Sequence, residues 1–156
     1  MRKILHTVGT AQKKAFLTTV YSCGLRLNEA LHLQVRDIDA ELMRIHVHRG
    51  KGAKDRYVPL PNPTLDLLRQ YWKTHRNPIL IFPALGRNGK LGPTATYPMN
   101  KTSVQGALRR VLTQLQIRKK VSIHTLRTVL PPICWKPAMT SARSRTCWAT
   151  KTFPLP

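Results

Sequence analysis

Two short motifs contain the residues whose types and spacing best suit chemistry on a phosphodiester. Arg26 precedes Glu29 by three residues in GLRLNEAL, and His124 precedes Arg127 by three residues in HTLR. Breaking a phosphodiester without a metal requires positive charge near the non-bridging oxygens, where the transition state gathers negative charge. Arginine suits this task because its planar guanidinium donates paired hydrogen bonds and stays protonated. Arg26 and Arg127 are therefore the candidate phosphate ligands.

Three further residues could complete such a site. Glu29 lies one helical turn beyond Arg26 and can orient its guanidinium. Lys51, in the basic segment RGKGAKDR, could reach the leaving 5′ oxygen as a general acid, and His124 could exchange the nucleophile's proton. Each signal alone has an ordinary alternative. The Arg26–Glu29 spacing is typical of a surface ion pair, Lys51 of a solvated hairpin tip, and His124 of a hydrogen-bonded helix start.

Charge indicates the class of partner. The sequence has 27 Lys and Arg against 6 Asp and Glu, a net charge of +21, and all its acidic residues lie at or before Asp66. Such a chain gains affinity for polyphosphates by counterion release, so we expect a nucleic acid as the partner and salt-dependent binding. A ribosomal or histone-like protein would share this basic balance, so charge indicates the partner class and not the chemistry. The remaining basic residues of note are interpreted as generic phosphate contacts or solvated charge: Arg36, Arg49, Arg56, Arg109, Arg110 and Lys119.

The sequence offers little for a metal or a membrane. The three cysteines, at positions 23, 134 and 147, have no CxxC spacing. His46 and His48 alternate on a probable strand, which more often indicates a partly exposed strand face than a metal site. We expect neither a metal nor a cofactor. Apolar runs stay well short of the ~18 residues of a spanning helix, and the N-terminus lacks secretory features, so we expect a cytoplasmic, nucleoid-associated protein.

The hydrophobic pattern predicts an α+β domain that is mainly helical with a small antiparallel hairpin. Helical periodicity covers residues 11–23, 27–33, 62–75 and 101–116. Gly24 is a natural stop for the first helix, Asn28 can cap the second, and Ser122 can cap a further helix that begins at HTLR. LMRIHVH alternates apolar and polar residues and precedes YVPL, which predicts a hairpin with a basic tip. Residues 84–98 are predicted to form a loop.

These motifs, taken in order, resemble the catalytic domain of the tyrosine recombinases, the phage integrase family. The matching residues are Gly24, Leu25, Arg26 and Glu29 for the first motif, Lys51 for the hairpin lysine, and His124 and Arg127 for His-x-x-Arg. The resemblance covers residues 11–127. It implies that Arg26, Lys51, His124 and Arg127 are catalytic with Glu29 in support, and that the function is site-specific DNA recombination or integration, as in a mobile element.

The sequence departs from the family after Arg127. There the family continues into a helix, a Leu-Gly-His box and the tyrosine that attacks DNA. The four tyrosines of this chain all precede HTLR, at positions 21, 57, 71 and 97. The resemblance therefore implies that the nucleophile is missing and that this chain alone is catalytically incompetent. The family's separate N-terminal DNA-clamping domain is also expected to be absent.

A changed reading frame would explain this departure. Residues 128–156 follow neither a helical nor a strand period. Every one of them can be encoded by codons that, read one nucleotide earlier, give HSFATHLLEAGNDLRAIQNLLGHKNVSTT, which restores a helical period and a Leu-Gly-His box. We therefore expect a partial catalytic domain over residues 1–127 and an irregular, out-of-frame tail over 128–156, produced by one nucleotide lost or two gained after the Arg127 codon.

Two alternatives remain open. The chain could be a non-catalytic basic DNA-binding protein that acts as a decoy or regulator of recombination. Another recombinase protomer could instead supply the tyrosine in trans. A DNA substrate that traps a covalent protein–DNA adduct separates these alternatives, because the adduct forms only when a tyrosine, from this chain or from another protomer, attacks the DNA.

Overall fold

The computed structural model describes residues 2–48, 55–86, 89–117 and 121–128, and for residues 2 and 126–128 the backbone alone. Six α-helices and three strands lie in these ranges. In chain order they are α1 (Arg2–Thr7), α2 (Ala11–Cys23), α3 (Leu27–Leu31), β1 (Ile38–Asp39), β2 (Arg44–Val47), β3 (Arg56–Pro59), α4 (Asn62–His75), α5 (Lys101–Gln114) and α6 (Ile123–Thr128), and a short 3-10 helix (Val35–Asp37) precedes β1. The predicted α+β class, mainly helical with a small antiparallel sheet, is confirmed. Of the predicted irregular tail, residues 128–156, Thr128 is the last residue of α6 and residues 129–156 lie outside the described residues.

Helix α2 is the centre of the core. Its apolar positions Phe16 and Val20 are fully buried, and Phe16 packs edge-on against Phe82 with ring centroids 5.1 Å apart. Helices α4 and α6 both pack against α2. The helix ends at Gly24, whose φ of 63° lies in the left-handed region that glycine adopts without strain. The predicted stop is confirmed, and it sets the direction in which the chain enters α3.

The start of α3 differs from the prediction. Arg26, not Asn28, is the N-cap residue, and Asn28 lies inside the helix. The carboxylate of Glu29 accepts a hydrogen bond from the backbone N–H of Arg26 at 2.7 Å. An acid at the third helical position can satisfy that otherwise unpaired donor, so Glu29 takes over the stabilising role that was expected of Asn28.

The sheet has strand order β1-β2-β3 and is antiparallel throughout. The predicted hairpin of β2 and β3 is confirmed, with Ile45 opposite Val58 and Val47 opposite Arg56. Ile45 and Val47 are buried and face the helices, whereas the alternate residues of β2 face outward. The hairpin tip, with Lys51, lies outside the described residues.

Helices α4 and α5 match the predicted segments closely. In α4, Leu65, Leu68 and Tyr71 are buried. Helix α5 begins with Asn100, whose side-chain oxygen accepts a hydrogen bond from the backbone N–H of Thr102 at 2.9 Å. The helix ends at Gln114, two residues earlier than predicted. The last of its expected core residues, at position 115, is only partly buried because it follows the helix end.

Asn77 holds the predicted loop of residues 84–98 against the rest of the domain. Its side chain is almost fully buried, with the residue 1% exposed. The amide nitrogen donates to the carbonyl oxygens of Gly92 at 2.7 Å and Ala95 at 2.9 Å. The amide oxygen accepts from the backbone N–H groups of Ile79 at 3.0 Å and Leu80 at 2.7 Å. One side chain therefore satisfies four backbone groups, most of them buried.

Membrane-spanning helices are not found within the described ranges: every helix there is too short or too polar to cross a bilayer.

Candidate functional site

Glu29 is the centre of a hydrogen-bond network that joins α3 to the sheet. Each of its carboxylate oxygens accepts two hydrogen bonds. Oε1 accepts from Nη1 of Arg26 and from Nη1 of Arg56, both at 2.8 Å. Oε2 accepts from the backbone N–H of Arg26 and from Nη2 of Arg56, both at 2.7 Å. A carboxylate has about four acceptor positions, so the network uses the full capacity of Glu29.

The protonation state of Glu29 follows from this network. Burial of the carboxyl would raise its pKa, but the hydrogen bonds from the Arg56 side chain and from the backbone and side chain of Arg26 outweigh burial and lower the pKa to about 2. The side chain is only 9% exposed. Glu29 is therefore ionised at any working pH, and it raises the pKa of Arg56 through the hydrogen bonds between them.

The Arg26 side chain stays partly exposed although Glu29 binds its guanidinium. One guanidinium nitrogen is bound to Glu29, yet the side chain is 32% exposed. An arginine anchored on one edge retains donors on its other edge, where they can bind an external anion. The predicted contact between Arg26 and Glu29 is found, and it fixes the guanidinium without enclosing it.

Arg56 is the residue that reasoning from the sequence missed. It was interpreted as generic positive charge, but it is the principal partner of Glu29. The signal lay in the alternation of β3: Arg56 pairs with the buried Val47 and so occupies the inward-facing side of the sheet. A charged residue at an inward position requires a charged or strongly polar partner, and Glu29, the acid of the first motif, is that partner.

The structure describes the second motif in part. His124 lies exposed near the start of α6, one residue after the buried Ile123 that anchors this helix in the core. As predicted, Ser122 caps the helix: its hydroxyl accepts from the backbone N–H of Thr125 at 3.2 Å. Because α6 packs against α2, the second motif is brought to the helix that leads into Arg26. Arg127 lies in α6, but its side chain, like all of Lys51, is outside the described part.

None of the tyrosines is bonded to the Glu29 network in the ranges described. Tyr71 is buried in the core. Tyr57 lies on the outward face of β3, stacked on His46 with ring centroids 4.7 Å apart and beneath the guanidinium of Arg44 at 4.2 Å. Tyr97 is exposed in the loop before α5, and Tyr21 is half-buried on α2.

A cleft of about 360 Å³ opens beside the network. Its walls come from α3, the segment after it and strand β2, and include Glu29, His32, Asp37, His46 and His48. The cleft thus has an acidic and histidine-rich wall next to the arginine network.

A family model described as the phage integrase family matches residues 1–130. The chain belongs to the phage integrase family. It is 35% identical over 127 residues to the integrase/recombinase y4eF of Sinorhizobium fredii. That alignment covers 81% of this chain and 47% of y4eF, so the chain spans about half the length of this curated relative.

Solved structures of recombinases share the fold of this integrase-family chain. The XerA recombinase matches with a TM-score of 0.65 at 22% identity, over 81% of this chain and 44% of XerA. The XerH site-specific recombinase, in a post-cleavage complex with its palindromic difH substrate, matches with a TM-score of 0.61 at 21% identity, over 81% of this chain and 37% of XerH. The described elements are therefore those of a tyrosine recombinase catalytic domain.

Proposed function

We propose that this chain carries the phosphate-binding part of a site-specific DNA recombinase, with Arg26 as a ligand of the scissile phosphate. The observation that carries the proposal is the anchoring of Arg26: Glu29 holds one edge of the guanidinium at 2.8 Å and leaves the side chain 32% exposed. A preorganised donor of this kind stabilises charge that develops in the transition state without having to reorganise when it does so.

Arg56 acts in this proposal as a positioning residue. It binds both oxygens of Glu29, which keeps the carboxylate ionised and aimed at Arg26. Without Arg56, Glu29 would have free acceptors and Arg26 would have a less fixed partner. The sequence motifs, not a described contact, assign Arg127 in this proposal as the second phosphate ligand, Lys51 as the general acid and His124 as the group that exchanges the nucleophile's proton.

Double-stranded DNA is the proposed partner. The net charge of +21 favours a polyanion, and XerH, which shares this fold, is bound to its DNA substrate. Other recombinase protomers are proposed as partners too, because one of them could supply the tyrosine in trans.

We further propose that the chain does not complete strand transfer by itself. The match to the family model ends at residue 130, close to the boundary after Arg127 at which the sequence stops following the family pattern. This agrees with an out-of-frame tail over residues 128–156. Residues 128–156 contain no tyrosine and do not continue the family pattern, so in this proposal they supply no nucleophile to the phosphate that the arginines bind.

A second candidate function, a non-catalytic decoy or regulator, is favoured by the same charge. A basic protein that binds recombination sites without cutting them would compete with intact recombinases. It differs from the first candidate in one respect: binding by charge alone would not depend on Arg26 more than on any other exposed cation.

The phosphate-ligand role is tested by binding to a fluorescent 30-base-pair duplex over a range of salt concentrations. We expect Arg26→Ala to weaken binding about tenfold, because a charge-assisted hydrogen bond is lost, and to reduce the salt slope by about one. The matched control is Lys73→Ala on the exposed face of α4. Equal losses for both variants would favour charge alone and contradict the proposed role of Arg26.

A further inference from the structure

The outward face of the hairpin gathers two histidines and an aspartate at one point. His46 and His48 share a face of β2, and the pairing of Val47 with Arg56, extended by one residue, places Asp55 opposite His48. Nε2 of His46 lies 3.3 Å from Oδ2 of Asp55, and Nδ1 of His48 lies 3.6 Å from the same oxygen. The three possible ligand atoms all lie within 4.8 Å of one another.

These distances suit a tetrahedral metal ion. Zinc binds imidazole nitrogen and carboxylate oxygen at about 2.0 to 2.2 Å, which places neighbouring ligand atoms of a tetrahedron roughly 3.3 Å apart. The two distances from Asp55 to the histidines, 3.3 and 3.6 Å, are close to that spacing. The side chains of His46, His48 and Asp55 are 28%, 47% and 49% exposed. Small side-chain rotations can therefore bring the ligand nitrogens of His46 and His48 to the same spacing from each other.

A buried carboxylate already orients one of the histidines. Asp37 is 4% exposed, and its Oδ1 lies 3.0 Å from Nε2 of His48. Its Oδ2 accepts a hydrogen bond from the backbone N–H of Gln34 at 2.9 Å, so the carboxylate is fixed in place. When Nε2 of His48 carries the proton and donates it to Asp37, the lone pair of Nδ1 faces Asp55. This arrangement of carboxylate, histidine and metal-facing nitrogen is typical of the outer shell of metal sites.

We propose that His46, His48 and Asp55 bind a divalent transition-metal ion, with Asp37 orienting His48 and water in the fourth position. Two imidazoles and one carboxylate are a ligand set that suits Zn²⁺, whereas Mg²⁺ and Ca²⁺ prefer oxygen ligands alone. In the tautomer that donates from Nε2 to Asp37, Nδ1 of His48 and the carboxylate of Asp55 are both acceptors, so a cation between them is stabilising. The adjoining cleft of about 360 Å³ leaves room for the water.

The site would tie β2 to the beginning of β3. Asp55 immediately precedes Arg56, the residue that binds both oxygens of Glu29. A bound metal would therefore restrain the stem of the hairpin next to Arg56, the first residue of β3. The expected effects are greater thermal stability and a more rigid hairpin stem, and they do not depend on any catalytic activity of the chain.

The test measures metal binding to the full chain after treatment with a chelator. All proteins carry Cys134→Ser and Cys147→Ser, which removes two other possible thiolate ligands. Cobalt(II) reports tetrahedral coordination by its visible absorption, and calorimetry with Zn²⁺ gives the stoichiometry. We expect one metal ion per chain, absorption typical of a tetrahedral site, and a higher melting temperature with Zn²⁺.

The variants distinguish this site from nonspecific binding. We expect Asp55→Asn and His48→Ala to weaken binding at least tenfold and to remove the rise in melting temperature, and Asp37→Asn to weaken binding about 10- to 100-fold. The control is His6→Ala, an exposed histidine on α1. Asp55 is half exposed, so Asn at that position should leave the fold unchanged by circular dichroism. Wild-type affinity in Asp55→Asn, or an absence of binding by the parent protein, would overturn the proposal.

Discussion

Arg56 in strand β3 donates hydrogen bonds to both carboxylate oxygens of Glu29 in helix α3, at 2.8 and 2.7 Å. The two residues are 27 positions apart in the sequence, so this ion pair is a tertiary contact and not a local feature of the helix. It links the hairpin, which carries the candidate general acid Lys51, to the motif that carries Arg26.

We expect Arg56→Lys to destabilise the domain by about 1 to 2 kcal/mol, because a lysine ammonium cannot bind both oxygens in the paired geometry of a guanidinium. Urea unfolding at neutral pH measures this change. Arg69→Lys is the control, since Arg69 forms a longer ion pair, at 3.4 Å, with Asp66, whose side chain is 64% exposed, and this substitution should cost less than about 0.5 kcal/mol. Equal effects of the two substitutions would contradict the special role of Arg56.

Glu29→Gln should lower stability in a pH-dependent way. The pKa of Glu29 is lowered from 4.5 to about 2 in the folded protein. Its charge therefore stabilises the fold in full above pH 4.5, and this contribution disappears as the pH falls from 4.5 through 2. We expect wild type to exceed the variant by roughly 3 kcal/mol at pH 6, with the gap narrowing steadily below pH 4.5.

Unfolding by urea at pH 6, 4 and 3 gives this gap directly. Glu41→Gln, at an exposed position between β1 and β2, is the matched control and should run parallel to wild type. A constant difference between wild type and Glu29→Gln at all three values would show that the carboxylate charge of Glu29 is not what the network requires.

Much of the fold could be predicted from the sequence, because helix periodicity and strand alternation are local. The bounds of α4 were predicted to the residue, and Gly24 ends α2 as expected. Contacts between distant segments could not be predicted in the same way. Alternation places Arg56 on the inward face of β3, but only the packing of the sheet against α3 reveals Glu29 as its partner. The aspartate beside His46 and His48 was missed for the same reason.

His75 should give a second, separate dependence on pH. Burial lowers its pKa from 6.5 to about 4, and the residue is 3% exposed at the end of α4. The folded state thus disfavours protonation of His75. The free energy of unfolding is therefore unaffected by this residue above pH 6.5 and falls by up to roughly 3 kcal/mol as the pH decreases to 4.

His75→Gln keeps a polar side chain that can accept a hydrogen bond in place of Nδ1, which now accepts from the backbone N–H of Asn77 at 3.1 Å. Thermal unfolding between pH 7 and pH 4 should therefore depend less on pH in this variant than in wild type. His6→Gln, at an exposed position, should leave the pH profile unchanged. If the pH profile of His75→Gln matched that of wild type, protonation of the buried His75 would not be the cause of the pH dependence.

Asn77→Ala should be strongly destabilising, because Asn77 binds the loop of residues 84–98 to the rest of the domain. It removes both donors to the carbonyls of Gly92 and Ala95 and both acceptor contacts of the amide oxygen. Because these backbone groups are buried, we expect a loss of about 2 to 4 kcal/mol. Asn100→Ala, which removes the exposed cap of α5, should cost only about 1 kcal/mol in the same urea unfolding assay. A smaller loss at position 77 than at position 100 would contradict this account.

The central proposal is that Arg26 of this integrase-family chain binds the scissile phosphate and that residues 128–156 do not supply the family's nucleophile. Its most direct test is a covalent trapping assay, in which nicked suicide duplexes made from the DNA that flanks the gene are incubated with protein and resolved under denaturing conditions. The comparison protein is the product of the same gene with one nucleotide restored after the Arg127 codon. We predict a denaturant-resistant protein–DNA adduct with the restored protein and none with this chain. An adduct of this chain alone, mapped to one of its own tyrosines, would contradict the account.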